Sequence, residues 1–269
     1  MEELDKLKIE LKLRGFSPLT VRNYSFFVEK FLLKTKKPDS ELNEDDARAY
    51  LSELFDSKSK NTILLAAAAL KFFYIEVLKK DFNQIKMPKK DNRLPEVLTP
   101  QEVQRLISSA DNQKSRLIVS FLYSAGLRVS ELVNLKVQDL DFGEKTGWVR
   151  RGKGSKDRVF AISEVLAREL EEYLKGREQV YLFSKNEPLT TRNIQKIIKG
   201  MRERASIQKK VTPHTLRHSF ATHLLEQGVS LPIIQELLGH KSLKTTSVYL
   251  HVQQYSIDAI RSPLDTLSV

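Results

Sequence analysis

TPHTLRHSFATHLLEQGVSLPIIQELLGHKSLKTTSVYLHV, residues 212–252, carries the strongest pattern in the 269-residue chain and all five of its histidines. The apolar spacing predicts one helix over about 213–227 and a second over 231–238. Gly228 and Gly239 follow them, at the position where helices commonly end. Further helices are expected around 243–250 and 254–260. This part of the chain is therefore predicted to be helical throughout.

The first of these helices is predicted to have a cationic face. At about 100° per residue, His214, Arg217 and His218 fall within roughly a third of the helix circumference. The other side carries three apolar residues, Leu216, Phe220 and Leu224, as expected of a face that packs on a core. A cationic face opposite an apolar one indicates a site that holds an anion.

Two of those histidines also have a spacing that suits a metal ion. His214 and His218 stand four residues apart, but no HExxH glutamate accompanies them and the chain has no cysteine. We therefore expect neither a metal ion nor an organic cofactor.

The charge and the lack of cysteine indicate what kind of partner and what kind of chemistry the protein can have. The net charge is +11, and residues 98–269, with 26 basic and 18 acidic side chains, carry +8 of it. Such a balance favours a polyanionic partner, nucleic acid before a membrane surface, although a lysine-rich solvated surface is the alternative. The lack of cysteine excludes disulfides and a thiolate nucleophile. With no signal peptide and no apolar run of about 18 residues, we expect a cytoplasmic protein without a membrane partner.

Periodicity divides the chain into two predicted domains. Residues 1–85 read as four helices, the last over about 59–79. That helix is predicted to bury five residues, Leu64, Ala67, Ala68, Phe72 and Ile75. Residues 86–98 contain prolines and charged residues, which predict a linker. Residues 99–269 return to helices, interrupted at 136–162 by a period of two that predicts a small antiparallel sheet of three strands. The expected fold class is mainly α.

Five segments carry a resemblance to a known family: RLPEVLTPQEVQRL (93–106), YSAGLRVSEL (123–132), RGKGSKDR (151–158), HTLRHSFATHLLEQG (214–228) and IQELLGHKSLKTTSVYLHV (234–252). In this order and spacing they resemble the tyrosine recombinases, or phage integrases, and most of all the Xer-type enzymes. The resemblance covers nearly the whole chain. It implies an N-terminal SAM-like core-binding bundle and a catalytic domain with the DNA breaking-rejoining enzyme fold.

The resemblance also implies the active site. Six positions match the family's catalytic set: Arg128, Lys153, His214, Arg217, His240 and Tyr249. Tyr249 would be the nucleophile that becomes linked to a DNA 3′-phosphate. It lies roughly 100° from the apolar stripe of its predicted helix and is free to face a ligand. The remaining histidines, His218, His223 and His251, are expected to support the structure, and Glu131 to orient a catalytic side chain.

Contacts to double-stranded DNA are harder to predict, because any Lys or Arg can bind a phosphate. The expected contacts are Thr20, Arg22, Asn23, Lys60 and Thr62 in the first domain, and Lys156, Arg192, Lys196 and Lys199 in the second. The alternative for each is a solvated surface residue.

The resemblance further implies a tetramer that acts on two specific DNA sites through a Holliday junction. A C-terminal tail after Val252 would dock on a neighbouring subunit, and a DNA translocase is a possible partner. Resolution of chromosome or plasmid dimers is the expected role, in chromosome partition at cell division. Three alternatives stay open: an integrase of a mobile element, a non-catalytic DNA-binding protein of the same fold, and a relaxing topoisomerase.

Overall fold

The computed structural model describes residues 2–83, 85, 96–150 and 157–239. The chain forms two compact units, residues 1–92 and 93–269. None of the helices in the described ranges is long and apolar enough to cross a membrane. The fold is mainly α with one small antiparallel sheet, the fold class that the sequence predicts.

The first unit is a bundle of four helices, α1 (Glu2–Leu13), α2 (Pro18–Thr35), α3 (Glu44–Ser57) and α4 (Lys60–Phe72). Side chains just before three of them satisfy the first backbone N–H groups. The caps are Ser17 before α2, Asn43 before α3 and Ser59 before α4. Apolar faces of all four helices meet in one core around Phe31 and Leu70.

The last helix of this unit differs from the prediction in length and rotation. α4 ends at Phe72 and continues as one π-helical turn, Phe73–Val77, instead of running to residue 79 as an α-helix. Ala68 and Ile75 are exposed, so the prediction of their burial is wrong. The buried stripe instead consists of Ile63, Ala66, Ala67, Ala69, Leu70, Phe73 and Tyr74. Four consecutive alanines give no contrast in size or polarity, so the neighbouring helices decide which of them faces inward.

The second unit surrounds one larger core with further helices and a sheet. The helices before the sheet are α5 (Pro100–Ser108), α6 (Gln113–Ser124) and α7 (Val129–Asn134). Those after it are α8 (Glu164–Leu174), α9 (Thr191–Arg204), α10 (Pro213–Glu226) and α11 (Leu231–Leu238). α6 is buried along most of its length and packs against α8, α9 and α10, which places it at the centre of the unit.

The sheet has three antiparallel strands in the order β1 (Leu140–Asp141), β2 (Thr146–Val149) and β3 (Arg158–Ala161). Gly147 lies opposite Phe160, and Val149 lies opposite Arg158. Because side chains alternate between the faces of a strand, Arg158 and Phe160 share one face. Phe160 is buried in the core, so an arginine stands on the inward side of the sheet.

Several predicted features lie outside the described residues. They are most of the linker 86–98, the helices expected around 243–250 and 254–260, and the tail after Val252.

Candidate active site

α10 is buried on nearly every side, which corrects the prediction of one cationic and one apolar face. Leu216 is fully buried as predicted, but Phe220 and Leu224 are only partly buried. Arg217 is only 4% exposed, and the polar residues Thr215, Ser219 and His223 are buried as well. The Thr215 hydroxyl donates to the Lys210 carbonyl oxygen, Ser219 Oγ accepts the N–H of Leu98, and His223 pairs with the Tyr123 hydroxyl, so these three side chains are buried with hydrogen-bond partners.

The guanidinium of Arg217 is held by backbone carbonyl groups. Its Nη1 donates to the carbonyl oxygen of Gly126, just after α6, and its Nη2 donates to that of Leu238, at the end of α11. Gly126 has φ +58°, and a Cβ there would lie 2.5 Å from the ring of Phe220. Only a glycine lets the chain turn so close to α10 and present its carbonyl group to Arg217.

Arg128 approaches the same place from the start of α7. Its Nη1 donates to Glu131 Oε1 at 2.7 Å, and its Nη2 donates to the Gly239 carbonyl oxygen at 3.1 Å. Glu131 also accepts the backbone N–H of Arg128 at 2.8 Å, so the carboxylate holds both the main chain and the side chain of that arginine. Glu131 thus has the geometry expected of a residue that orients Arg128.

A third arginine completes the cluster. Arg158 at the start of β3 donates from Nη2 to Glu131 Oε2 at 2.9 Å and from Nε to the Leu237 carbonyl oxygen at 3.2 Å. Arg217 Nη1 lies 4.0 Å from the same Glu131 oxygen. Three guanidiniums therefore surround one buried carboxylate.

The same three arginines also cap α11. They donate to three consecutive carbonyl groups at its C-terminal end: Arg158 to Leu237, Arg217 to Leu238 and Arg128 to Gly239. This end of a helix carries partial negative charge, so the arrangement is electrostatically favourable. We name these three arginines and Glu131 the arginine cluster.

The pattern of the sequence did not identify Arg158 as a site residue. A signal was available, because Arg158 stands two residues before the apolar Phe160 on a predicted strand. A charged side chain on the inward face of a strand needs a buried partner. The identity of that partner, Glu131, 27 residues earlier, was not visible locally.

His214 and His218 lie beside the arginine cluster on α10. Burial lowers the pKa of His214, and the positive charges of Arg217 and Arg128 lower it further, although the residue remains exposed on its outer side. Burial, then His214 and Arg217, lower the pKa of His218 to about 4. Both imidazoles are therefore neutral at pH 7, and a neutral His214 can accept a proton.

His223 lies away from the arginine cluster, as predicted for a structural histidine. Its Nδ1 is 2.7 Å from the hydroxyl of Tyr123, and the two rings meet edge to face at 5.8 Å. It therefore links α10 to α6 inside the core.

Of the six predicted catalytic residues, the structure brings Arg128, His214 and Arg217 together. Lys153, His240 and Tyr249 lie outside the described residues, as do Lys156 and His251. Gly239, the residue that accepts from Arg128, directly precedes His240 in the chain.

The predicted DNA-contacting residues within the described ranges lie on α9 of the second unit and on α2 and α4 of the first. On α9, Arg192, Lys196 and Lys199 are all exposed, and the helix buries Ile194, Ile198 and Met201 on its other side.

In the first unit, Thr20 and Thr62 lie in the first turns of α2 and α4. Each hydroxyl shares a 2.9 Å hydrogen bond with the capping serine, Ser17 or Ser59. Of the other residues predicted here, Arg22 is exposed and Asn23 and Lys60 are half-buried. Neither threonine hydroxyl is therefore a purely solvated group.

Within the described ranges, no group of three or more His, Cys, Asp and Glu side chains is placed to hold a metal ion.

Comparisons with known proteins decide the family. The model of the phage integrase family matches residues 96–255, more than half of the chain. The model of the phage integrase N-terminal SAM-like domain matches residues 4–84. The chain belongs to the phage integrase family. It is a tyrosine recombinase, as the resemblance of its motifs implied.

Individual relatives agree with this assignment. The chain is 41% identical to tyrosine recombinase XerA of Pyrococcus horikoshii, over 93% of this chain and 88% of that protein. A crystal structure of XerA recombinase matches at 34% identity with a TM-score of 0.58, over 97% of this chain and all of that one. The XerH recombinase in its post-cleavage complex with a difH substrate matches at 24% identity, with a TM-score of 0.73, over 90% and 78% of the two chains. The last likeness concerns the fold alone.

Proposed function

We propose that this tyrosine recombinase is a site-specific DNA recombinase that uses Tyr249 to cleave and rejoin strands. The observation that supports the proposal most is the convergence of Arg128, Arg217 and His214, which come from two separate helices. Three guanidiniums around one carboxylate leave an excess of two positive charges. A phosphodiester carries one negative charge, and its pentavalent transition state carries two.

In the proposed cleavage step the Tyr249 oxygen forms a bond to phosphorus while the bond from phosphorus to the 5′ oxygen breaks. A phenol has a pKa near 10, so its proton has to be removed as attack proceeds. His214 accepts that proton, which its lowered pKa permits at neutral pH. The leaving 5′ oxygen takes a proton from Lys153, and His240 donates a hydrogen bond to the phosphate.

Arg128 and Arg217 bind the non-bridging oxygens in this proposal. Guanidinium groups match the geometry of phosphate oxygens, and their hydrogen bonds strengthen as charge builds up on the transition state. They supply the positive charge that a metal ion supplies in metal-dependent phosphoryl transfer. The energy of the broken phosphodiester is kept in the 3′-phosphotyrosine, so a second 5′-hydroxyl can restore the strand without an external energy source.

Residues 99–269 would carry this chemistry, while residues 1–85 and α9 would bind the duplex. The exposed residues Arg192, Lys196 and Lys199 support a phosphate contact by α9. Each phosphate contact changes the slope of binding affinity against salt concentration by about one. We expect Lys196→Ala to reduce that slope by about one and Lys175→Ala, on an exposed residue at the end of α8, to leave it unchanged.

The proposed biological role is resolution of chromosome or plasmid dimers by a tetramer on two sites, through a Holliday junction. The tail after Val252, with Ile257, Ile260 and Leu264, would dock on a neighbouring subunit. A chain ending at Val252 is then expected to bind DNA but to recombine poorly. Full recombination by this shortened chain would contradict the proposal for the tail.

A covalent trap tests the chemistry and selects the DNA site in one experiment. The full chain is incubated, in the presence of EDTA, with a library of nicked duplexes that carry randomised half-sites. A nick beside the scissile phosphate lets the cleaved end diffuse away, so the protein–DNA adduct accumulates. We expect adducts that survive denaturation with the wild-type chain and none with Tyr249→Phe.

The captured sequence then separates recombination from relaxation. A plasmid with two directly repeated copies should be resolved into two circles. Relaxation alone would indicate a topoisomerase. If the trap yields no adduct, selection of bound duplexes that returns one specific sequence would indicate a non-catalytic DNA-binding protein.

A further inference from the structure

Arg158 ties three segments of the second unit together. It begins β3, its side chain is 12% exposed, and it contacts Glu131 of α7 and the last turn of α11. Its stem also lies against Gly239, where an added Cβ would be 2.9 Å from Arg158 Cδ. Such a long polar side chain is buried only when its donors are satisfied, and here a carboxylate and a carbonyl oxygen accept from it.

Arg158 and Arg128 together hold the Glu131 carboxylate. Burial raises the pKa of the Glu131 carboxyl, but the hydrogen bond and the charge of Arg158, followed by the hydrogen bonds of Arg128, hold that pKa below its usual value. An arginine outside the predicted catalytic set therefore helps to keep the carboxylate ionised. If Arg158 lost its charge, the negative charge of Glu131 would act on Arg128 and Arg217 alone.

Arg158 therefore affects how much net positive charge the arginine cluster offers to the scissile phosphate. With Arg158 present, the arginine cluster has an excess of two positive charges; without it the excess is one. Electrostatic stabilisation of a transition state depends on such preorganised charge in a site of low dielectric constant.

We propose that Arg158 is a positioning residue for strand cleavage: it pairs with and holds Glu131, so that the positive charges of Arg128 and Arg217 remain available to the scissile phosphate and both side chains keep their orientation. This role rests on the proposed function. Arg158 acts through Glu131 and the end of α11. A lysine would keep the charge but would lack the planar fork that reaches both Glu131 Oε2 and the Leu237 carbonyl oxygen.

The test measures the rate of adduct formation on one nicked duplex chosen from the covalent trap. The duplex carries either a normal scissile phosphate or a methylphosphonate, in which an uncharged methyl group replaces one charged oxygen. Loss of charged hydrogen bonds predicts that Arg158→Met is about 10- to 100-fold slower than wild type on the phosphate. On the methylphosphonate the difference should shrink to about 3-fold or less, because less charge has to be stabilised. On the phosphate duplex, the rate of Arg158→Lys should fall between the rates of wild type and Arg158→Met.

Two further variants separate this role from general damage. Arg116→Met removes an ion pair with Glu169 in the same unit and should leave both rates near wild type. In Arg158→Met, the second change Glu131→Gln removes the unpaired negative charge and should restore at least about 5-fold of the lost rate on the phosphate.

The role of Arg158 is overturned if Arg158→Met equals wild type, if its deficit is the same on both substrates, or if Glu131→Gln adds to the deficit. Absence of any wild-type adduct across the whole library of the covalent trap would overturn the proposed function, and the role of Arg158 with it. A wild-type adduct with an unaltered ratio between the two substrates would overturn only the role of Arg158.

Discussion

Replacing Gly126 with alanine probes the turn that presents a carbonyl group to Arg217. The new Cβ would lie 2.5 Å from Phe220 Cδ1, 2.6 Å from Phe220 Cε1 and 3.0 Å from Leu238 Cδ2. Gly126 also has φ +58°, a conformation that side chains disfavour. Two costs therefore act together, backbone strain and overlap with the packed side chains of α10 and α11.

Two other glycines separate these costs. Gly176 has φ +72° and nothing within 4 Å of a Cβ, so Gly176→Ala carries backbone strain alone, about 1 kcal/mol. Gly147 has no positive φ, but a Cβ there would overlap the ring of Phe160, so Gly147→Ala carries overpacking alone, about 1–3 kcal/mol. The sum predicts a loss of about 2–4 kcal/mol for Gly126→Ala.

Differential scanning calorimetry of full-length Gly126→Ala, Gly176→Ala and Gly147→Ala measures these losses of stability as decreases in Tm. In a unit of this size, 1 kcal/mol lowers Tm by about 2–4 °C. We expect the largest decrease in Tm for Gly126→Ala, at least about twice that of Gly176→Ala. Adduct formation should fall as well, because the carbonyl acceptor of Arg217 is displaced. Equal Tm values for Gly126→Ala and Gly176→Ala would refute the reasoning, since the ring of Phe220 would then move aside at no cost.

Three further predictions concern the same unit. The rate of adduct formation should stay constant at pH 6.5 and above and decline at lower pH. The reason is that His214 accepts a proton only when it is neutral, and its pKa is lowered. A decline centred above pH 6.5 in a pH–rate profile would contradict this role. Ser219→Ala should cost about 1–3 kcal/mol in urea unfolding, since the buried N–H of Leu98 loses its 2.9 Å acceptor; an unchanged midpoint would argue against that bond. Tyr123→Phe should lower stability by about 1–2 kcal/mol, because Nδ1 of His223 loses its 2.7 Å partner, and thermal unfolding that matches wild type would show that the partner is dispensable.

Local patterns predicted much of the fold because the interactions behind them are local. Ser17 with Pro18, and Thr99 with Glu102, begin helices through contacts within three residues, and the structure has both caps. The switch to a period of two predicted the three-stranded sheet for the same reason. The rotation of α4 was missed because its alanine run contains no local contrast.

The candidate site was predictable only in part. The resemblance of the motifs selected Arg128, His214 and Arg217, and the structure brings these three together. The pattern on α10 predicted that Arg217 lies on a cationic face opposite an apolar core face, but Arg217 is itself buried because carbonyl groups of two other segments accept its donors. Burial of a charged group depends on partners distant in sequence, and helical periodicity carries no information about them.

The sequence by itself determined the mainly helical fold class, the positions of its helix caps, the excess of basic residues and the family of the chain. Each of these is a property of composition, or of residues a few positions apart. Only the tertiary structure decided that Glu131 is shared by Arg128 and Arg158, with Arg217 close by, and that all three arginines cap the end of α11. The physical reason is that a buried charge is stabilised by whichever groups folding brings within hydrogen-bonding distance, and these come from segments up to 111 residues apart.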